Sequence, residues 1–242
     1  MLMLAVTKSA LSPEWFWYAF IGLAVLVGII GLLKLRFERR RRETLALAAG
    51  QHGLSFDAAG EPLAPEEVKG FHLFSDGRAR QTRNVMRGSS SGMEIVLFDY
   101  KYVTGSGKNQ SVHQQTVAAF RLPGATLPGF DLRHENVLYK VAALFGYRDI
   151  NFTEHPEFSR RYLLRGTDQD AVRALFSPAL VQFFENPIHV DRRWAVEGAG
   201  NLLLVYRPEK RISGEALPQF LQDSTTVAAQ FRQGTGAAKF GW

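Results

Sequence analysis

RARQTRNVMRG (residues 78–88), MEIVLFDYKYVTG (93–105) and SVHQQTVAAFRL (111–122) are three consecutive runs, separated by GSSSG (88–92) and GSGKNQ (105–110). Their valine, tyrosine and phenylalanine content, with glycine-rich breaks at each join, predicts a three-stranded antiparallel meander. In the second run Glu94, Val96 and Phe98 do not suit one shared environment, whereas Ile95, Leu97 and Tyr100 are expected near one face. GSGKNQS has the look of a phosphate loop, but that pattern needs a glycine where Tyr102 stands and a Ser or Thr where Asn109 stands. It reads as a hairpin turn.

Toward the C-terminus, LPGATLPGFDLRHE (122–135) is a loop leading into an extended piece, and ENVLYKVAALFG (135–146) reads as a helix with Val137, Leu138, Val141 and Leu144 on one stripe. SRRYLLRG (159–166) reads as a strand. TDQDAVRALF (167–176) opens with a capping threonine, and SPALVQFFENP (177–187) repeats a Ser-Pro helix start. DRRWAVEGAGNLLLVYRP (191–208) contains two strand-like runs joined by EGAGN, and SGEALPQFLQDSTTVAAQFRQG (213–234) is a long amphipathic helix with Pro218 near its start. Strands in runs followed by helices in runs predict an α+β fold, an antiparallel sheet with packed helices.

Toward the N-terminus, LSFD (54–57) is a short strand, PEEV (65–68) a helical turn, and ETLALAAGQHG (43–53) a helix ending at Gly53. Beyond that helix lies WFWYAFIGLAVLVGIIGLL (15–33), uncharged, with the Tyr18 hydroxyl as its one polar group. Its 19 residues make a helix of about 28 Å, close to the roughly 30 Å hydrocarbon core of a bilayer. Ser12, Pro13 and Glu14 suit a helix start, and Trp15, Trp17 and Tyr18 suit one membrane interface. Lys34, Arg36, Arg39, Arg40, Arg41 and Arg42 stand at the other end, against Lys8 and the amino terminus before the span. This asymmetry predicts a single-pass inner-membrane protein with its N-terminus outside and its larger part in the cytoplasm. A cleavable signal would carry its cations before the apolar run instead of after it. The expected organisation is a short segment 1–14, a transmembrane helix 15–35, a basic juxtamembrane stalk 36–53 and a cytoplasmic domain 54–242.

The basic run is a topogenic stop and a surface for anionic lipid headgroups. The whole chain is formally +6, but residues 43–242 carry 22 Lys or Arg against 21 Asp or Glu. A nearly neutral domain has no excess charge with which to release counterions from nucleic acid, so a nucleic-acid partner is not expected. The absence of cysteine excludes disulfides and thiolate chemistry. Ala24 and Gly28 form a small-xxx-small pair, a weak signal that leaves homo-oligomerisation open.

GYRDINFTEHPEFSRRYLLRG (146–166), DQDAVRALFSPALVQFF (168–184) and WAVEGAGNLLLVYRP (194–208), followed by a closing helix, are similar to an uncharacterised family of bacterial membrane proteins with one N-terminal transmembrane helix and a cytoplasmic α+β domain. The resemblance covers about residues 80 to 232. It implies a bacterial inner-membrane protein and brings no catalytic residues with it.

No GxSxG elbow occurs, and His113, His134, His155 and His189 show no helical pairing that would bind a metal. No catalytic residue, cofactor or metal is expected. Phe176, Phe183, Phe184 and Phe231 fall at helical spacings and read as core. The densest polar group is Asp149, Glu154, His155 and Arg160. Loop capping and salt bridging explain it most simply, and a proton-transfer pair is the sharper alternative. The leading expectation is therefore a non-enzymatic, membrane-anchored interaction module with the bilayer and a protein at the membrane as partners. The alternative is a tethered enzyme or small-ligand sensor using those four residues.

Overall fold

The computed structural model describes residues 14–135 and 149–234. Contacts divide the chain into two units, residues 1–43 and 44–242. In the first unit begins α1 (Glu14–Gln51), whose apolar stretch has a mean hydropathy of 2.4 with none of its residues buried. The helix is long and apolar enough to cross a membrane. The expected cap at Ser12 and Pro13, and Lys8, lie outside the described residues, as does all but Glu135 of the helix expected over residues 135–146.

In the second unit the last turns of α1 end where the sequence expects. Gly53 takes φ +69°, the left-handed conformation open to glycine, and the Leu54 amide donates back to the Ala49 carbonyl at 2.9 Å. There follow β1 (Ser55–Asp57), α2 (His72–Ser75), β2 (Arg78–Ser90), β3 (Met93–Thr104), β4 (Ser111–Arg121) and β5 (Leu127–His134). Beyond the undescribed stretch come α3 (Pro156–Arg161), β6 (Tyr162–Gly166), α4 (Gln169–Leu175), α5 (Pro178–Glu185), α6 (Pro187–Arg192), β7 (Ala195–Gly200), β8 (Leu202–Tyr206) and α7 (Leu217–Gly234). The eight strands form one antiparallel sheet in the order β1-β2-β3-β4-β8-β7-β5-β6, so the fold is α+β.

Both faces of this sheet are covered. Ile95, Leu97, Phe120, Leu132, Leu164, Val196 and Leu203 pack against the helices, with Phe176, Phe184 and Phe231 buried among them and Phe183 at the margin. The opposite parity, including Phe98, Tyr100, Tyr102, Val117, Leu204 and Tyr206, packs under residues 58–77, a strap between β1 and β2 that contributes Leu63, Phe71 and Leu73. Tyr100 therefore faces away from Ile95 and Leu97, contrary to the expectation. Val96 and Phe98, with odd neighbours on the helix side, share the strap face with it. A strand buried on both sides has no polar face to report its register.

Other local readings shift by a few residues. Asp168, not Thr167, caps α4 by accepting from the Ala171 amide at 3.0 Å, a stronger acceptor one position along. Ser177 caps α5 as expected. SRRYLLRG divides, with SRR closing α3 and YLLRG forming β6. EGAGN joins β7 to β8 as the sequence expects, its bend falling on Gly200 and Asn201 between the paired residues Ala199 and Leu202, with Gly200 at φ +61°.

Phe120 is fully buried where β4 meets the helices. Phe120→Ala is expected to cost about 3–5 kcal/mol, read from urea denaturation of the protein in detergent micelles.

Candidate functional site

The interfacial aromatics Trp15, Trp17 and Tyr18 fall in the first turns of α1, where Trp17 and Tyr18 are exposed. Lys34, Arg36, Arg39, Arg40, Arg41 and Arg42 follow on the same helix, all exposed except Arg41, and Arg39 donates to Glu43 at 3.0 Å.

The four polar residues singled out in the sequence do not converge, and three of them have separate partners. Asp149 accepts from the Leu164 amide at 3.2 Å. His155 Nδ1 lies 3.1 Å from Glu185, Arg160 pairs with Glu157 at 2.5 Å, and Glu154 is exposed. Burial holds the Asp149 carboxyl above the usual carboxylate range, partly offset by the Leu164 amide and more weakly by the Arg165 charge. His113 stacks on Tyr102 and contacts Glu209, and His134 packs edge-on to Tyr162. Among the described residues no group of three or more His, Asp or Glu side chains is arranged to hold a metal ion.

A different set of charges converges on the strap face. In the register of β5, Asp131 pairs directly with Glu197 of β7 on one side and with Arg165 of β6 on the other. Directly paired residues point to the same side of a sheet, so Glu197, Asp131 and Arg165 form a row across three strands. Two carboxylates side by side repel, and Arg133, two residues along β5, lies between them: its Nε donates to Asp131 at 2.7 Å and its Nη2 to Glu197 at 3.3 Å.

Glu197 is only 1 % exposed, and its burial is compensated. Its Oε1 also accepts from the Tyr206 hydroxyl at 2.7 Å, and both carboxylate oxygens accept from the Leu73 amide of the strap at 3.2 Å. Burial pushes this carboxyl above its ordinary range, reinforced by the Asp131 charge and opposed by Arg133. Burial also works against the Arg133 charge, but Asp131, Tyr206 and Glu197 hold that guanidinium firmly protonated.

His72 extends the network into the strap. Its Nδ1 lies 2.8 Å from Arg133 Nη2 and 3.2 Å from Asp76 Oδ2. As neutral imidazole it accepts from Arg133; as imidazolium it donates to Asp76. The hydrogen bond to Asp76 raises the His72 pKa, against its burial and the Arg133 charge.

Beside this network is an open pocket of about 130 Å³, with His72 and Gly70 of the strap on one side and Asp131, Arg165, Thr167 and Glu197 on the sheet side. Glycine is needed at the β5–β6 corner, because a Cβ on Gly166 would meet the Gly129 carbonyl at 2.7 Å. The residues of this site lie far apart in sequence, from His72 to Tyr206. Two local signals are nevertheless present: Asp131 and Arg133 stand at i, i+2 in FDLRHE, and Glu197 interrupts an otherwise apolar strand.

No protein-family model matches the chain, and no curated protein matches it. Among solved structures, the crystal structure of the mycobacterial trehalose monomycolate transport factor A, TtfA, has a similar fold, with a TM-score of 0.55 and 18 % sequence identity over 81 % of this chain and 92 % of that one. At that identity the likeness is one of fold.

Glu197→Ala leaves Arg133 without one carboxylate and the Leu73 amide without its acceptor, and should cost about 3–5 kcal/mol in urea denaturation. For His72 the folded pKa lies above the ordinary 6.5, so its stabilisation is complete below about pH 6.5 and lost as pH rises through the folded-state value. The melting temperature of the native protein should therefore exceed that of His72→Gln by more at about pH 6 than at about pH 9.

Proposed function

We propose that this chain is a single-pass inner-membrane protein whose α+β domain lies in the cytoplasm and acts as a non-enzymatic interaction module for a protein at the same membrane. The observation that carries the reading is α1, whose apolar residues are exposed over a length sufficient to cross a bilayer and are followed by six cations. The charge network adds support. Arg133 and Tyr206 both donate to Glu197, which also takes the Leu73 amide of the strap, as groups that hold a binding surface in shape would. The fold is shared with a protein named as a transport factor for trehalose monomycolate, and a role beside membrane transport machinery is in keeping with an anchored module.

Fusion of a fluorescent protein or of alkaline phosphatase at the C-terminus tests the orientation. Fluorescence without phosphatase activity is expected, and the reverse pattern would overturn the cytoplasmic assignment. Photo-crosslinkers placed at exposed positions of the domain, such as Lys108 and Gln110, test the module in intact membranes. A discrete membrane-protein adduct is expected from the native chain, and its absence from every such position would remove the interaction reading.

A further inference from the structure

We infer that the pocket between the strap and the β5–β6 corner binds a small α-amino acid, with the ligand's ammonium held by Asp131 and Glu197 and its carboxylate held by Arg165. The inference goes beyond the interaction-module reading and stands apart from it, since a bound amino acid requires neither a particular orientation in the membrane nor a protein partner.

The polar row sets the chemistry. Asp131 uses Oδ1 for Arg133, and no described residue donates to its Oδ2. Glu197 gathers Tyr206 and Arg133 on Oε1, leaving Oε2 with the Leu73 amide alone. Two adjacent carboxylates that line the pocket thus keep acceptor capacity. On the other flank of Asp131, Arg165 makes no hydrogen bond or ion pair among the described residues, and the Thr167 hydroxyl beside it makes none. The pocket therefore offers acceptors at one end and a planar, permanently charged donor at the other. Neighbouring strands lie about 4.8 Å apart, so this polarity runs over a span that one α-amino acid bridges, its ammonium and carboxylate being separated by a single carbon. An arginine suits the carboxylate end because its fork matches a carboxylate with two parallel hydrogen bonds.

Volume selects within that class. An engineered cavity of about 150 Å³ holds benzene, a molecule of six heavy atoms. At about 130 Å³ the pocket suits glycine, alanine or serine and is too small to enclose a hexose. Its wall is kept close by glycine: a Cβ at Gly166 would collide with both Val172 and the Gly129 carbonyl, and one at Gly70 would press on Ala199 at 3.1 Å.

The test is isothermal titration of the full-length protein in lipid nanodiscs with glycine, L-alanine and L-serine at millimolar concentration, alongside N-acetyl-L-alanine, L-alaninamide and glucose. At least one of the three amino acids should bind, and masking either end should weaken binding by about tenfold or more. Arg165→Gln breaks no described bond, so its melting temperature should match that of the native protein while its affinity falls by about tenfold or more. Asp131→Asn should lose affinity as well, and if it proves unstable, Arg165→Gln decides. Failure of all three amino acids to bind the native protein, equal binding by Arg165→Gln, or binding of glucose in their place would overturn the inference.

Discussion

An eight-stranded sheet with apolar side chains on both faces has to be covered twice, and the second cover here is a strap of twenty residues with little regular structure of its own. Helices solve the first face in the ordinary way, each burying one apolar stripe. The strap contributes only Leu63, Phe71, Leu73 and their partly buried neighbours to the second. What holds it in register is the carboxylate of Glu197, which rises from the middle of the sheet and takes the Leu73 amide on both oxygens. Removing a carboxylate from water is costly, so the group remains only because Arg133 and Tyr206 satisfy it from the sheet side.

That solution fixes where charge accumulates. Glu197 brings Arg133, Arg133 brings Asp131, and the strap answers with His72 and Asp76. The pocket is a by-product of this arrangement: it lies beside groups whose hydrogen-bonding capacity is not exhausted, where glycines at the β5–β6 corner and in the strap let the walls approach their neighbours closely. One polar network thus supports the second cover and supplies the walls of the cavity. The charged groups of a binding site placed there, Asp131, Arg165 and Glu197, are held by strands and are correspondingly well defined.

Much of the architecture is legible from local pattern. The hairpin at GSGKNQ, the glycine-terminated end of α1, the Ser177 cap of α5 and the long closing helix follow from turn chemistry and periodicity that act within a few residues. The failures have local causes too. Tyr100 escapes the expected face of Ile95 because a doubly buried strand carries no alternation that reports its register, and EGAGN holds glycines of two kinds that look alike in sequence: Gly198 packs close against Phe130 within β7, whereas Gly200 takes φ +61° in the bend.

The sequence by itself determined the apolar span, the charge asymmetry around it and the α+β class, because hydrophobic run length, cation count and the order of strand and helix signals are all properties of contiguous residues. Tertiary structure alone decided the site. Asp149, Glu154, His155 and Arg160 are close in sequence yet do not share a partner, whereas His72, Asp131, Arg165 and Glu197 are scattered and line one pocket. Strand order brings β6, β5 and β7 side by side, and register places three charged residues in one row; neither follows from any stretch of the chain, since both are set by which strands pair across the whole sheet.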